Sequence, residues 1–128
     1  MLAIDTNVLV RFLTRDQPKQ AARAGALLEG HEVFAATTVL LETEWVLRST
    51  YGFEPRQVVN ALKGFLGLPQ VRLRDREMVA QALAWAADGL DFADALHLAA
   101  AEDCEAFVSF DERFVKRGRA LGASVRHA

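Results

Sequence analysis

Two short apolar runs, MLAI at residues 1–4 and AFVSF at residues 106–110, each lead straight into an aspartate, Asp5 and Asp111. Continuous apolar runs of this kind read as strands buried on both faces, as in a parallel sheet covered by helices. In an open α/β sheet, ligands bind outside the carboxyl ends of the strands. Asp5 and Asp111 are therefore expected on that edge. Two further acids, Glu42 in TTVLLETEWVL and Asp94 in LDFADALHLAAA, lie on helices placed after strands. Carboxylates gathered on one edge repel one another and resist joint ionisation. A divalent cation removes that conflict, and oxygen-only ligands select Mg²⁺ or Mn²⁺. The pattern points to metal-dependent phosphodiester chemistry.

The rest of the chain alternates in the same sense. A short helix is expected from Asn7 to about Thr14, and a second is capped by Asp16 with Pro18 in its first turn and Gly30 at its end. EVFAA is a strand. Thr37 or Thr38 caps the next helix, which carries Glu42 and stops at Gly52. Pro55 opens a further helix closed by Leu68-Pro69, and VRL is a weak strand. Asp75 caps REMVAQALAWAAD, Asp91 starts FADALHLAAAED, and ERFVKRGRAL follows Asp111 and ends at Gly122. SVR reads as an edge strand. Strands alternating with helices imply an α/β fold with a small parallel sheet between helices.

A chain of 128 residues is expected to form one domain, residues 1–128, that buries roughly two-thirds of its unfolded surface. Hydrophobic residues make up 52%, enough to suggest that some apolar surface is hidden in an interface. The net charge of −2 provides no global basic field, so any nucleic-acid contact must use local patches. The single cysteine, Cys104, excludes an internal disulfide and a Cys-based zinc cage, and reads as an inert, half-buried thiol. No apolar stretch is long enough to span a bilayer, and Asp5 lies too early for a signal peptide to precede it. A cytoplasmic location is expected.

Each candidate acid also has a structural role open to it. Asp5 and Asp111 stand where helix N-caps are wanted, and D-F-A-D at 91–94 resembles a capping box with Asp91 as cap. Glu42 and Glu44 are two apart, roughly 200° around a helix, so they cannot share a face. Glu42 lies nearer the expected site edge and is taken as the functional acid, with Glu44 as a solvated one. Thr6 and Asn7 could orient a ligand, and Ser109 shares a side of its extended segment with Asp111. Arg113, Lys116, Arg117 and Arg119 cluster after Asp111 and could grip a phosphate backbone, or form a solvated face. His97 is read as a packed residue. Phe12, Trp45, Phe53, Trp85 and Phe114 are read as core or interface residues.

Taken in order, I-D-T-N-V-L, L-L-E-T-E-W-V-L-R-S followed by Y-G, D-F-A-D-A-L-H and S-F-D-E-R-F resemble the motifs of PIN-domain ribonucleases, in particular VapC-type toxins of toxin–antitoxin pairs. The resemblance runs over nearly the whole chain. It implies a PIN-like three-layer fold with a parallel sheet of about five strands. It implies Asp5, Glu42, Asp94 and Asp111 as the catalytic acids, with Asp91 outside the set and Ser109 standing where members often have Thr. It implies hydrolysis of single-stranded RNA with Mg²⁺ or Mn²⁺. Asp5 and Asp94 would be direct ligands, Asp111 would act through water, and Glu42 would bind metal or orient water. A homodimer and a VapB-like antitoxin are the implied partners. Three other readings compete: a non-catalytic binding module in which the acids serve as caps, an RNA-processing PIN nuclease without an antitoxin, and a phosphoacceptor domain. The last needs a suitably placed lysine, and Lys19, Lys63 and Lys116 follow no strand.

Overall fold

The computed structural model describes residues 1–128. The chain divides into two compact units, Met1–Arg74 and Asp75–Ala128. The fold is α/β, with seven helices and parallel strands.

In the first unit, β1 (Leu2–Ala3), β2 (Val33–Phe34) and β3 (Val71–Arg72) form a parallel sheet in the order β1-β2-β3. Leu2 pairs with Val33, and Val33 with Val71. Parallel neighbours need long crossovers, and helices supply them. Helices α1 (Thr6–Thr14) and α2 (Pro18–Gly30) join β1 to β2; α3 (Thr37–Ser49) and α4 (Pro55–Leu66) join β2 to β3. Helix α1 buries Thr6, Leu9 and Val10, the i, i+3, i+4 stripe of a helix lying on a core. Its chain reverses at Arg15, in the left-handed region at φ 55°. Helix α4 starts with Pro55 behind a capping box made by Glu54 and Gln57, and buries Val58, Val59, Leu62, Phe65 and Leu66.

In the second unit, α5 (Arg76–Ala87) and α6 (Phe92–Ala100) pack together, and Ala82 and Ala86 on the first and Ala95 and Ala99 on the second are buried. Strand β4 (Phe107–Ser109), helix α7 (Glu112–Ala120) and strand β5 (Val125–His127) follow. β4 and β5 pair in parallel, with Phe107 opposite Val125. The five strands thus form a three-stranded and a two-stranded parallel sheet.

Three caps differ from expectation. Asp16 does not cap α2; Gln17 takes that position without a side-chain bond, and Asp16 is held by other partners described below. Ala36, not Thr37 or Thr38, precedes α3, and neither threonine caps it with its side chain. Asp75 does stand before α5, but at φ 52° its side chain makes no capping bond. Glu44 also departs from the expected solvated acid. It is buried, because α3 turns Leu40, Thr43, Glu44 and Leu47 inward together, and Arg48 Nε bonds its carboxylate at 2.8 Å. An acid buried this way is tolerated because the i+4 arginine supplies the opposite charge. Cys104 is exposed rather than half-buried.

Gly118 in α7 is required by close packing. A Cβ there would stand 2.7 Å from Val125 Cγ2 and 3.6 Å from Leu98 Cδ2. Val125 is buried and stiff at χ1, so it cannot swing away. Gly118→Ala is expected to destabilise the protein by about 1–3 kcal/mol despite alanine's better helix propensity. A lower urea midpoint at unchanged slope would show this; a raised midpoint would mean that the β4-β5 unit repacks freely.

Candidate active site

In the first unit the carboxyl ends of β1 and β2 lie side by side, because the strands are parallel neighbours. The chain leaves β1 through Ile4 into Asp5, and leaves β2 into α3, which carries Glu42. Adjacent crossovers therefore place Asp5, Thr6, Asn7 and Glu42 on one cleft of about 360 Å³. These four residues, expected on one strand edge, share that cleft. The buried hydroxyl of Thr6 donates to Glu42 Oε1 and holds that otherwise exposed carboxylate in one orientation. Asp5 Oδ1 accepts the backbone N–H of Thr6 at 2.8 Å as the α1 cap.

Arg11 and Tyr51 line the same cleft and were not anticipated. Arg11 lies one helical turn beyond Asn7, a spacing that the sequence did contain. Arg11 Nη1 donates to the Tyr51 hydroxyl at 2.8 Å, and that hydroxyl donates to Asp16 Oδ2 at 2.7 Å. Thr14 Oγ1 donates to Asp16 Oδ1 at 2.8 Å. The Tyr51 and Thr14 hydrogen bonds, with the Arg11 charge, hold the Asp16 carboxyl below the usual carboxylate range. A depressed carboxyl pKa stabilises the fold above the unfolded value, and that stability is lost as pH falls through the folded one.

In the second unit, a cleft of about 760 Å³ is lined by Asp88, Asp91, Asp94, Asp111, Arg113, Lys116 and Arg117 together with apolar neighbours. β4 ends at Ser109, and Ser109 Oγ accepts the Asp111 N–H at 3.0 Å, fixing the turn into α7. Asp111 Oδ1 accepts the Phe114 N–H at 3.0 Å and caps α7. Asp91 Oδ1 likewise accepts the Asp94 N–H at 3.1 Å and caps α6. Each of these caps uses one carboxylate oxygen and leaves the other open, so capping and ligation are compatible.

Asp94 differs from the other acids. It is half-buried and caps nothing. Burial pushes its carboxyl above the usual range; the negative charges of Asp91 and Asp111 push it further, and His97 opposes them in part. His97 itself is exposed rather than packed. Asp91 therefore shares the cleft with Asp94 and Asp111, although it had been set apart as a cap. Its three-residue spacing from Asp94 was the available signal. Arg113 and Lys116 stand exposed on the same cleft, whereas Arg117 Nη2 is tied to the Asp88 carbonyl at 3.2 Å across Gly89.

A family model described as the PIN domain matches residues 2–120. The chain belongs to the PIN domain family. A PIN domain has a nuclease-type fold, and PIN domains are generally metal-dependent nucleases acting on RNA. No curated protein matches this PIN domain. No group of three or more His, Cys, Asp or Glu side chains is arranged to hold a metal ion. The donor chemistry nevertheless fits one. The acids present only oxygen atoms, as Mg²⁺ and Mn²⁺ require, and Asp94 carries a negative charge that its surroundings oppose. No helix of this PIN domain is long and apolar enough to cross a membrane.

Proposed function

We propose that this PIN domain is a metal-dependent endoribonuclease of the VapC type, the toxin of a pair silenced by a VapB-like antitoxin. The observation that carries the reading is Asp94, half-buried beside Asp91 and Asp111, whose charges together with burial outweigh the partial offset from His97. A partly desolvated carboxylate among like charges is a natural place for a bound cation. By the family resemblance, Asp5 in the first unit and Asp94 and Asp111 in the second are the acids that would serve as ligands to Mg²⁺ or Mn²⁺. A divalent cation bound there supplies Lewis acidity and charge neutralisation for attack on a phosphodiester.

The chain's own side chains do the remaining work. Thr6 keeps Glu42 Oε1 occupied, so Oε2 is the oxygen free to orient a water. Asn7 offers an amide to the same cleft. Ser109 supports Asp111 through its backbone. Arg113 and Lys116 attract the phosphate strand, with Arg117 as a weaker contact because of its bond to Asp88. No serine or histidine nucleophile is needed. A homodimer in the cytoplasm completes the reading.

The capping bonds of Asp5, Asp91 and Asp111 favour a second reading, a PIN-fold binding module without turnover. Incubation of the purified protein with a mixed pool of single-stranded RNA separates the two. Discrete fragments with Mg²⁺ or Mn²⁺, absent with EDTA, are the expected result. Intact RNA with either metal would leave the binding module as the better account. Recovery of growth when a small reading frame immediately upstream is co-expressed would identify the toxin; cleavage without toxicity would identify an antitoxin-independent nuclease.

A further inference from the structure

Trp45 stands 58% exposed on α3, an unusual position for the largest side chain. Its neighbours on the exposed stripe of that helix are Thr38, Glu42 and Ser49, spaced at i−7, i−3 and i+4. Residues three and four apart share a helix face, so Trp45 lies one turn from Glu42 on the same side. Glu42 lines the Asp5 cleft, so that face of α3 leads away from the cleft. The indole makes no aromatic stacking or cation–π contact with the rest of the chain. The core or interface role expected for Trp45 is thus not met in the core. A protein interface wants a contiguous apolar patch around its aromatic anchor. Here the fully exposed positions around Trp45 are hydroxyls and a carboxylate, and half-exposed Leu41, four residues before it, is the one apolar neighbour at i±3 or i±4 on that face.

We propose that Trp45 is a base-stacking platform for an unpaired nucleotide flanking the phosphodiester presented to the Asp5–Glu42 cleft. The proposal rests on the ribonuclease reading and adds a recognition element to it. A flat, solvent-facing indole offers a π-face to any base, and unpaired strands expose base faces that duplexes hide. The consequence is a preference for single-stranded RNA with little dependence on base identity at that position. Trp45 is a substrate-positioning residue on this account, and its removal acts on binding rather than on the chemical step.

The test uses tryptophan fluorescence of the full chain in EDTA, titrated with a short mixed-sequence single-stranded RNA and, separately, with the same sequence as a duplex. The expected result is quenching by the single strand that disappears in Trp45→Ala. Affinity should fall about tenfold or more, as loss of one base stack implies, and Trp45→Phe should recover part of it. Where cleavage is measurable, KM should rise with kcat nearly unchanged. Binding by wild type with equal affinity in Trp45→Ala would overturn the inference and leave the nuclease reading intact. Equal RNA affinity together with loss of a dimer in Trp45→Ala would assign the indole to a protein contact instead. Absence of any RNA binding by the wild type would overturn this inference, and the metal-supported cleavage assay above would decide the ribonuclease reading separately.

Discussion

Asp94→Asn is expected to lose saturable Mn²⁺ binding in calorimetry and to cut RNA cleavage by at least about a hundredfold, since even groups that merely support a metal ligand are worth ten- to a hundredfold. The same substitution is expected to raise, not lower, thermal stability of the metal-free protein at neutral pH. The sign follows from linkage. Burial and the charges of Asp91 and Asp111 raise the Asp94 carboxyl in the folded state. Between the unfolded pKa and this raised value the native state binds more protons, so stability falls as pH rises through that window. Above it, an ionised Asp94 remains a net strain that an amide lacks. A purely structural aspartate would behave oppositely, with metal binding unaffected and stability reduced. Equal Mn²⁺ binding by both proteins would sink the assignment of Asp94.

Phe65→Ala is expected to destabilise the protein by about 3–5 kcal/mol, the cost of a large cavity in a packed core. Phe65 is 1% exposed on α4 and meets Phe12 of α1 edge-on, with ring centroids 6.2 Å apart. It therefore ties the two crossover connections of the three-stranded sheet to one core. Thermal melting or urea unfolding measures the loss, and a change below about 1 kcal/mol, the usual size for a surface substitution or smaller, would show that the site collapses without penalty. Because Asp5 and Glu42 depend on those crossovers, the variant should also lose activity at temperatures where it still appears folded.

The strands and helices were largely readable from the residues. MLAI and AFVSF did become β1 and β4, although Leu2 and Val108 are exposed where strands buried on both faces were expected, and Pro55, Asp91 and Asp111 did mark the starts of α4, α6 and α7. Apolar runs and turn residues act locally, over a few positions, so a linear text carries them. The placement of the candidate acids was legible for the same reason: each follows a strand or lies near the start of a helix, and the parallel order of β1 and β2 then brings Asp5 and Glu42 to one cleft.

What the residue pattern could not carry was the choice among partners distant in sequence. Asp16 looked like a cap, yet Tyr51, 35 residues away, offers it a better hydrogen bond, and Arg11 adds a charge. Glu44 looked solvated, because nothing local states which side of α3 faces the core; packing turned it inward against Arg48. Thr6 reads as an ordinary helix-start residue until α3 brings Glu42 to its hydroxyl. Gly118 reads as a weak helix residue until Val125 closes over it. Local propensity and chemical type are properties of a residue and its neighbours, and they were enough for most of the elements and for where the candidate acids fall on them. Burial, charge pairing and the raised carboxyl of Asp94 are properties of a packed environment, and they exist only once the helices are seated on their strands.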